Sequence, residues 1–227
     1  MFVCLRFLEF NRFVMPDQKT VNITVFASGR GSNFQAVHQA LLAEPDIPAR
    51  IALCVSNNPS PGAFEYAKEH GIATHRLSPK MFPDDPDTYQ RTLRSLLKEY
   101  GTDLILLAGY MRKLPPEVVA DYRGRILNVH PGLLPDFGGQ GMYGMNVHRA
   151  VLEAGKTESG PTVHLADEDY DTGPIIASCK VPVKADDTPE SLAERVLHAE
   201  HELLPKVVLA AVVRLSEGQD IVAMDFE

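Results

Sequence analysis

Two stretches of this chain hold residues whose types and spacing suit acyl chemistry. Asn128 and His130 stand two apart in R-I-L-N-V-H-P-G-L-L-P, Arg125 to Pro135, and Asp171 lies in D-E-D-Y-D-T-G-P, Asp167 to Pro174. The first run reads as a short apolar strand ending at a polar pair, and period-two alternation puts Asn128 and His130 on one face of it. Pro131 then removes a backbone donor and turns the chain out of the sheet. An amide, an imidazole and a carboxylate are a set that can hold an oxyanion and move a proton. The set works only if Asp171 comes back to meet His130. Thr172-Gly173-Pro174 gives Asp171 a sharp exit into the next strand, which marks it among the acidic residues of that loop.

A third stretch suits anions. S-G-R-G-S-N, Ser28 to Asn33, separates a β-rich run from a helical pattern. Gly29 and Gly31 let backbone amides turn inward, the helix N-terminus adds positive potential, and Ser32 and Asn33 add side-chain donors. This is a design for a phosphate. It is neither the G-x-x-x-x-G-K-[ST] loop nor a full G-x-G-x-x-G, so nucleotide binding does not follow. A tight turn without a ligand is the plainer alternative.

Other candidates are weaker. The acidic loop lacks the Gly and the terminal Glu of an EF-hand, and H-x-x-H at His198 to His201 lacks the i, i+4 spacing of a zinc helix, so no metal is expected. A second N-V-H, Asn146 to His148, opens a helical pattern, and capping by Asn146 accounts for it. The serines lack a G-x-S-x-G elbow, and no cysteine has an activating neighbourhood.

Alternating elements must position these residues. Strands are expected at Val21–Ala27, Ala49–Val55, from Ile72, at Leu104–Ala108 and at Arg125–Val129, with helices between them. L-I-L-L-A is the continuous apolar run of a strand covered on both faces. Beyond the pivotal loop come a helix over Asn146–Ala154, strands at Pro161–Ala166 and Ile175–Val183, and a long helix from Thr188 to about Leu215 that Pro205 is expected to kink or interrupt. The pattern predicts an α/β fold, a doubly wound and mostly parallel sheet with an antiparallel addition on its C-terminal side. Ligands bind such sheets outside the carboxyl ends of the strands, so Ser28–Asn33, Ser56–Gly62, Gly109–Arg112 and Asn128–Pro131 should crowd one edge.

The chain has 227 residues, 44% hydrophobic and 23% charged, with a formal net charge of −8. That length suits one domain, expected over residues 21–227, with residues 1–20 as an appendage and Met15 a conceivable start. The acidic balance disfavours nucleic acid and anionic membrane as partners. No apolar run is long enough for a transmembrane helix, and Arg6, Glu9 and Arg12 interrupt the apolar N-terminal stretch. Cys4, Cys54 and Cys179 are isolated and odd in number, which fits a reducing, cytoplasmic setting.

Taken together, S-G-R-G-S-N, L-A-G-Y-M-R, N-V-H-P-G-L-L-P and D-Y-D-T-G-P resemble the folate-dependent formyltransferases over about Val21 to Leu215. The early loop points to the glycinamide ribonucleotide branch. The resemblance implies transfer of a formyl group from 10-formyltetrahydrofolate, as co-substrate and without a metal, to the primary amine of glycinamide ribonucleotide in purine synthesis. It implies that Asn128 and His130 hold the oxyanion and that Asp171 orients His130, favours its protonated form and relays the amine's proton. Ser28, Gly29, Gly31, Ser32 and Asn33 would take the phosphate, and Glu200 would contact the ribonucleotide. Tyr110, Met111, Arg112, Lys113 and Leu114, with Asp167, Asp169 and Asp171 of the acidic loop, would line the folate pocket. Its expected partners are these small molecules, bound by a monomer or homodimer.

The chain departs from the family pattern at three places. Gly132 stands where Ser is common after H-P, Leu197 and His198 replace a usual polar or basic phosphate contact, and Asp136–Asn146 is rich in glycine, reading as a flexible flap or a tight turn system. A sugar-amine formyltransferase and a non-catalytic folate- or phosphate-binding module remain as alternatives.

Overall fold

The computed structural model describes residues 19–221. The expected appendage lies outside these residues apart from Lys19 and Thr20, and Lys19 Nζ already reaches Asp103 Oδ1 at 2.5 Å.

Strands β1 (Val21–Phe26), β2 (Ala49–Ser56), β3 (Ala73–Arg76), β4 (Leu104–Leu107) and β5 (Ile126–His130) alternate with helices α1 (Ser32–Ala43), α2 (Gly62–Glu69), α3 (Pro86–Glu99) and α4 (Pro116–Asp121). Then come α5 (Met145–Glu153), β6 (Glu158–Ser159), β7 (Thr162–Leu165), β8 (Ile175–Ser178), β9 (Val181–Pro182) and α6 (Pro189–Ser216). The main sheet has seven strands in the order β3-β2-β1-β4-β5-β7-β8. Pairing is parallel from β3 through β5 and antiparallel at β5–β7 and β7–β8. The fold is therefore the expected one.

Period-two alternation sorts the strand residues into two cores. Val21, Ile23, Val25, Leu104, Leu106, Leu127 and Val129 face α1, α2 and α6. Phe26, Ile105, Leu107 and Ile126 face α3 and α4. Every residue of β4 is buried, as its unbroken apolar run requires. Each such side chain contributes roughly 1.5–3 kcal/mol relative to exposure. Ile126, Asn128 and His130 share a face, so the polar pair continues the α3/α4 side of the sheet beyond its apolar part.

Three expectations change. The predicted strand Ile175–Val183 is two strands: β8 stays in the main sheet, and β9 pairs with β6 in a separate ribbon. The break falls where Gly160 passes Cys179 so closely that a Cβ on Gly160 would lie 1.8 Å from the Cys179 carbonyl oxygen. Gly144, not Asn146, is the N-cap of α5, and the Asn146 side chain donates to the Gly141 carbonyl at 3.0 Å instead. Helix α6 runs through Pro205 without interruption, packed on α1 and the sheet, with Thr188 and Ser191 forming its capping box.

Candidate active site

The chain steps from β1 outward to β3 and returns to β4 on the other side of β1, so the strand order reverses between β1 and β4. Three loops meet there at Ser28. Its hydroxyl donates to Asn57 Oδ1 at 2.6 Å and accepts from the Met111 amide at 3.0 Å, while its carbonyl accepts from Asn58 Nδ2 at 2.5 Å. The Ser28 side chain therefore staples these loops together. What the loop offers an anion is backbone. Gly31 is the N-cap of α1 in the left-handed region, φ 77°, and no side chain caps the helix. Its first-turn amides thus open onto the crevice. Gly31 is required twice over, because a Cβ there would also lie 2.7 Å from Ala63 Cβ.

Asn33, in the first turn of α1, meets Glu200 from the middle of α6. The Asn33 amide donates to Glu200 Oε2, both residues are buried, and Asn33 Oδ1 has no partner among the described residues. Burial pushes the Glu200 carboxyl up to about 7, and the Asn33 bond only partly opposes it. A buried carboxyl beside an unsatisfied amide oxygen is a receptor for hydroxyl groups. His198 lies exposed against Glu202, 3.3 Å away, and Leu197 is half-buried.

The second cluster forms where β5 ends. Asp171 Oδ2 lies 3.5 Å from His130 Nδ1, and Asp171 Oδ1 lies 3.4 Å from His164 Nε2. Asp171 has φ 59°, the one non-glycine residue with positive φ among the described residues. That conformation costs of order 1–3 kcal/mol and persists because the surroundings over-determine it. Two devices hold it. Asp167 Oδ1 accepts from the Asp169 amide at 3.1 Å and the Thr172 hydroxyl at 2.7 Å, closing the loop on itself. Gly173 lies so close beneath the Leu165 carbonyl that a Cβ would be 1.9 Å from its oxygen.

The Gly-rich segment is the tight turn system, not a free flap. His130 Nε2–H donates to the Phe137 carbonyl at 2.7 Å, and the Gly139 amide donates to Asp171 Oδ2 at 3.0 Å. The segment thus bonds both members of the pair. Gly132 has no room for a side chain here: a Cβ would lie 2.8 Å from Val147 Cγ1 and 3.1 Å from His130 Nε2. Burial holds the His130 imidazole below its ordinary pKa, outweighing the upward pull of Asp171 and the Phe137 carbonyl. Asp171 thus favours the protonated form, in the expected direction, but burial outweighs it and the net shift is downward. Burial also pushes the Asp171 carboxyl upward, but His164, His130 and the Gly139 amide together keep it below the usual carboxylate range.

The segment of residues 110–114, expected to line a folate pocket, splits into exposed and buried residues. Met111, Arg112 and Lys113 are exposed, and Lys113 Nζ binds Asp169 Oδ1 at 3.2 Å, tying this segment to the acidic loop. Leu114 is buried in the core against α4, and Tyr110 packs edge-on against Phe26 at 5.2 Å with its hydroxyl buried. These two side chains anchor the exposed segment between them to the core. Asp167 is bonded within its own loop. Cys54 is no nucleophile, since burial pushes its thiol up to about 12.

Two further histidines lie at the cluster: His164, which the sequence does not single out, and His148, which it sets aside. His164 sits directly opposite Asn128 in the β5–β7 register. Its only local signal is a polar residue inside the apolar strand T-V-H-L, upstream of the acidic loop. His148, on α5, is buried, and its pKa is held down by burial and then by His130. The second N-V-H therefore belongs to the surroundings of the first.

Residues 21–208 match the formyl transferase family. The chain is 46% identical over 187 residues to the chloroplastic phosphoribosylglycinamide formyltransferase of Arabidopsis thaliana, covering 82% of this chain and 63% of that protein. It is 39% identical over 188 residues to the phosphoribosylglycinamide formyltransferase of Escherichia coli K12, covering 83% and 85%. The chain spans less than two thirds of the length of the plant relatives, 63% for Arabidopsis and 60% for Vigna unguiculata. The crystal structure of the phosphoribosylglycinamide formyltransferase of Brucella melitensis superposes with a TM-score of 0.77 at 40% identity, covering 86% of this chain and 96% of that one.

Proposed function

The chain belongs to the formyl transferase family, and from that premise we propose that it transfers the formyl group of 10-formyltetrahydrofolate to the primary amine of glycinamide ribonucleotide, a step of purine synthesis. The observation that carries this reading is the convergence of Asn128, His130 and Asp171 at the end of β5, on the same sheet edge as the uncapped α1 and the Asn33–Glu200 pair.

The phosphate of the ribonucleotide sits on the amides of the Gly29–Asn33 loop, and Glu200 with Asn33 holds its hydroxyls. The folate lies against Met111–Lys113 and the acidic loop. The amine nitrogen attacks the formyl carbon, the carbonyl oxygen becomes an oxyanion, and the carbon–N10 bond of the folate then breaks. Asn128 donates a hydrogen bond to the oxyanion. His130 Nε2–H is engaged by the Phe137 carbonyl, so His130 acts through Nδ1, the nitrogen facing Asp171. It is neutral at rest. It takes the proton lost by the amine as Asp171 stabilises the imidazolium, and the proton passes through water to the departing N10. Protons and electrons balance without a metal or redox cofactor.

We place the reaction in the cytoplasm, on the isolated cysteines; the Arabidopsis relative carries a chloroplast designation. Among the described residues no helix is long and apolar enough to cross a membrane.

The test is turnover of purified protein with glycinamide ribonucleotide and 10-formyltetrahydrofolate, read as formylglycinamide ribonucleotide by mass spectrometry. Turnover only on a sugar amine, or release of formate to water alone, overturns the assignment.

A further inference from the structure

His164 is fully buried on β7, and both of its ring nitrogens have partners. Nδ1 lies 2.9 Å from the Leu165 carbonyl oxygen. A carbonyl only accepts, so Nδ1 carries the hydrogen. In the neutral ring Nε2 is then a bare acceptor. Nε2 lies 2.9 Å from Asn128 Nδ2, and the amide N–H donates to it. The arrangement decides which way the Asn128 amide points. With its nitrogen against His164, one N–H is bonded and the second, fixed in the amide plane, remains for the site. The flipped amide would set Oδ1 against a bare nitrogen, two acceptors face to face, and would turn the donor away.

We propose that His164 is a positioning residue for the formyl transfer proposed above: its Nε2 fixes the Asn128 amide so that the remaining N–H meets the oxyanion. The idea rests on that reading of the reaction. The register makes it possible, because Asn128 and His164 are directly opposed across β5 and β7 and so share a sheet face. The Leu165 carbonyl in turn holds the tautomer, the same logic by which a partner on one ring nitrogen sets the role of the other. Asp171 Oδ1, 3.4 Å from Nε2, competes with Asn128 for it, since a charged His164 would donate Nε2–H to that carboxylate; the two arrangements differ in whether Nε2 bears a hydrogen. His164 touches neither substrate nor reacting atoms in this scheme and acts only through Asn128.

Two measurements test this. The first needs no turnover: nitrogen-15 spectra of histidine-labelled protein near pH 8, with His164 assigned by its loss in His164→Gln. A protonated Nδ1 and a bare Nε2 are expected; a protonated Nε2 overturns the proposal whether or not the enzyme makes the expected product. The second is kinetic. His164→Leu is expected to lower kcat by roughly 10- to 100-fold, part of the ~100- to 1,000-fold that an oxyanion donor supplies, with both KM values within about threefold. His164→Gln, whose side-chain oxygen can accept from Asn128, should recover to within about fivefold. In an Asn128→Ala background His164→Leu should cost less than about threefold, because a residue that acts through Asn128 has nothing left to position. Multiplicative losses in the double variant, or no recovery with Gln, overturn the proposal. Should the Leu variant fail to fold by circular dichroism, the tautomer and the Gln variant still decide. Absence of product from the parent protein would sink the reaction reading and leave the tautomer as the judge of the His164–Asn128 contact.

Discussion

Asp171 Oδ2 faces His130 Nδ1 across 3.5 Å, while His130 Nε2–H is tied to the Phe137 carbonyl at 2.7 Å on the other side of the ring. One nitrogen is therefore occupied by the protein and the other looks at a carboxylate. The ring is also buried enough to sit neutral below its ordinary pKa. That combination favours a ring that is neutral at rest and becomes charged only when a proton arrives at Nδ1.

Asp171→Asn removes the charge that stabilises the imidazolium and leaves the shape nearly intact. Turnover is expected to fall by about 100- to 10,000-fold, the usual worth of a positioned acid–base group, with the folate KM within a few-fold. In the parent, activity should fall as pH drops through a value below 6.5, where His130 protonates at rest. Asp171 pulls that pKa upward, so its removal should move the acid limb to lower pH. Steady-state kinetics across pH check both; equal losses in kcat and folate affinity would point to a binding role instead.

Glu200→Gln should change stability in a pH-dependent way. The folded-state carboxyl titrates at about 7 against an ordinary 4.5, because burial penalises its charge. The fold thus prefers the protonated form; that contribution is full below pH 4.5 and is lost as pH rises through 7. Above that, the buried charge costs up to roughly 3 kcal/mol. The uncharged Gln escapes this cost, so the variant should melt above the parent at pH 8.5 and level with it near pH 4.5. Thermal unfolding at the two pH values decides, and a difference independent of pH contradicts the assignment.

Gly132→Ser should destabilise the protein by about 1–3 kcal/mol, the range for overfilling a packed site. Its Cβ would press on Val147, His130 Nε2 and, at 3.2 Å, Phe137 Cβ. Turnover should fall as well, because the Phe137 carbonyl that holds His130 must shift. A urea unfolding midpoint and activity equal to the parent's would show that the segment yields without consequence.

Gly31→Ala should act on the anion loop alone. The left-handed φ of 77° costs a side chain about 1–2 kcal/mol, and the contact with Ala63 at 2.7 Å forces the loop outward. The KM for the ribonucleotide should rise at least about tenfold by loss of amide contacts to its phosphate, with the folate KM changed less than about threefold. Initial-rate kinetics varying each substrate in turn separate the two.

Much of this was legible in the residues themselves. The β/α alternation, the fully apolar β4, the αL glycine at the start of α1 and the strand-end pair Asn128 and His130 are local properties. Each depends on the chemistry and period of a few neighbours, and the structure holds each of them. That the side chains of Tyr110 and Leu114 turn into the core was not legible, because adjacent residues in a loop give no period from which to read inward and outward faces.

The tertiary structure decided the partners. Asn128 meets His164 across 36 residues of chain because β7 runs antiparallel beside β5 in one particular register. A shift of one residue would have turned Val163 into the site instead. Asn33 meets Glu200 across 167 residues because α6 packs on α1, and only that burial gives Glu200 its raised pKa. Asp171 reaches His130 because its loop is closed by Asp167 and met by the Gly139 amide, not because of spacing. Local sequence encodes propensity and period; the register between distant strands and the docking of a last helix are set by how the whole core packs. That is why the sequence alone could name Asn128 and His130, and only the folded chain could name His164.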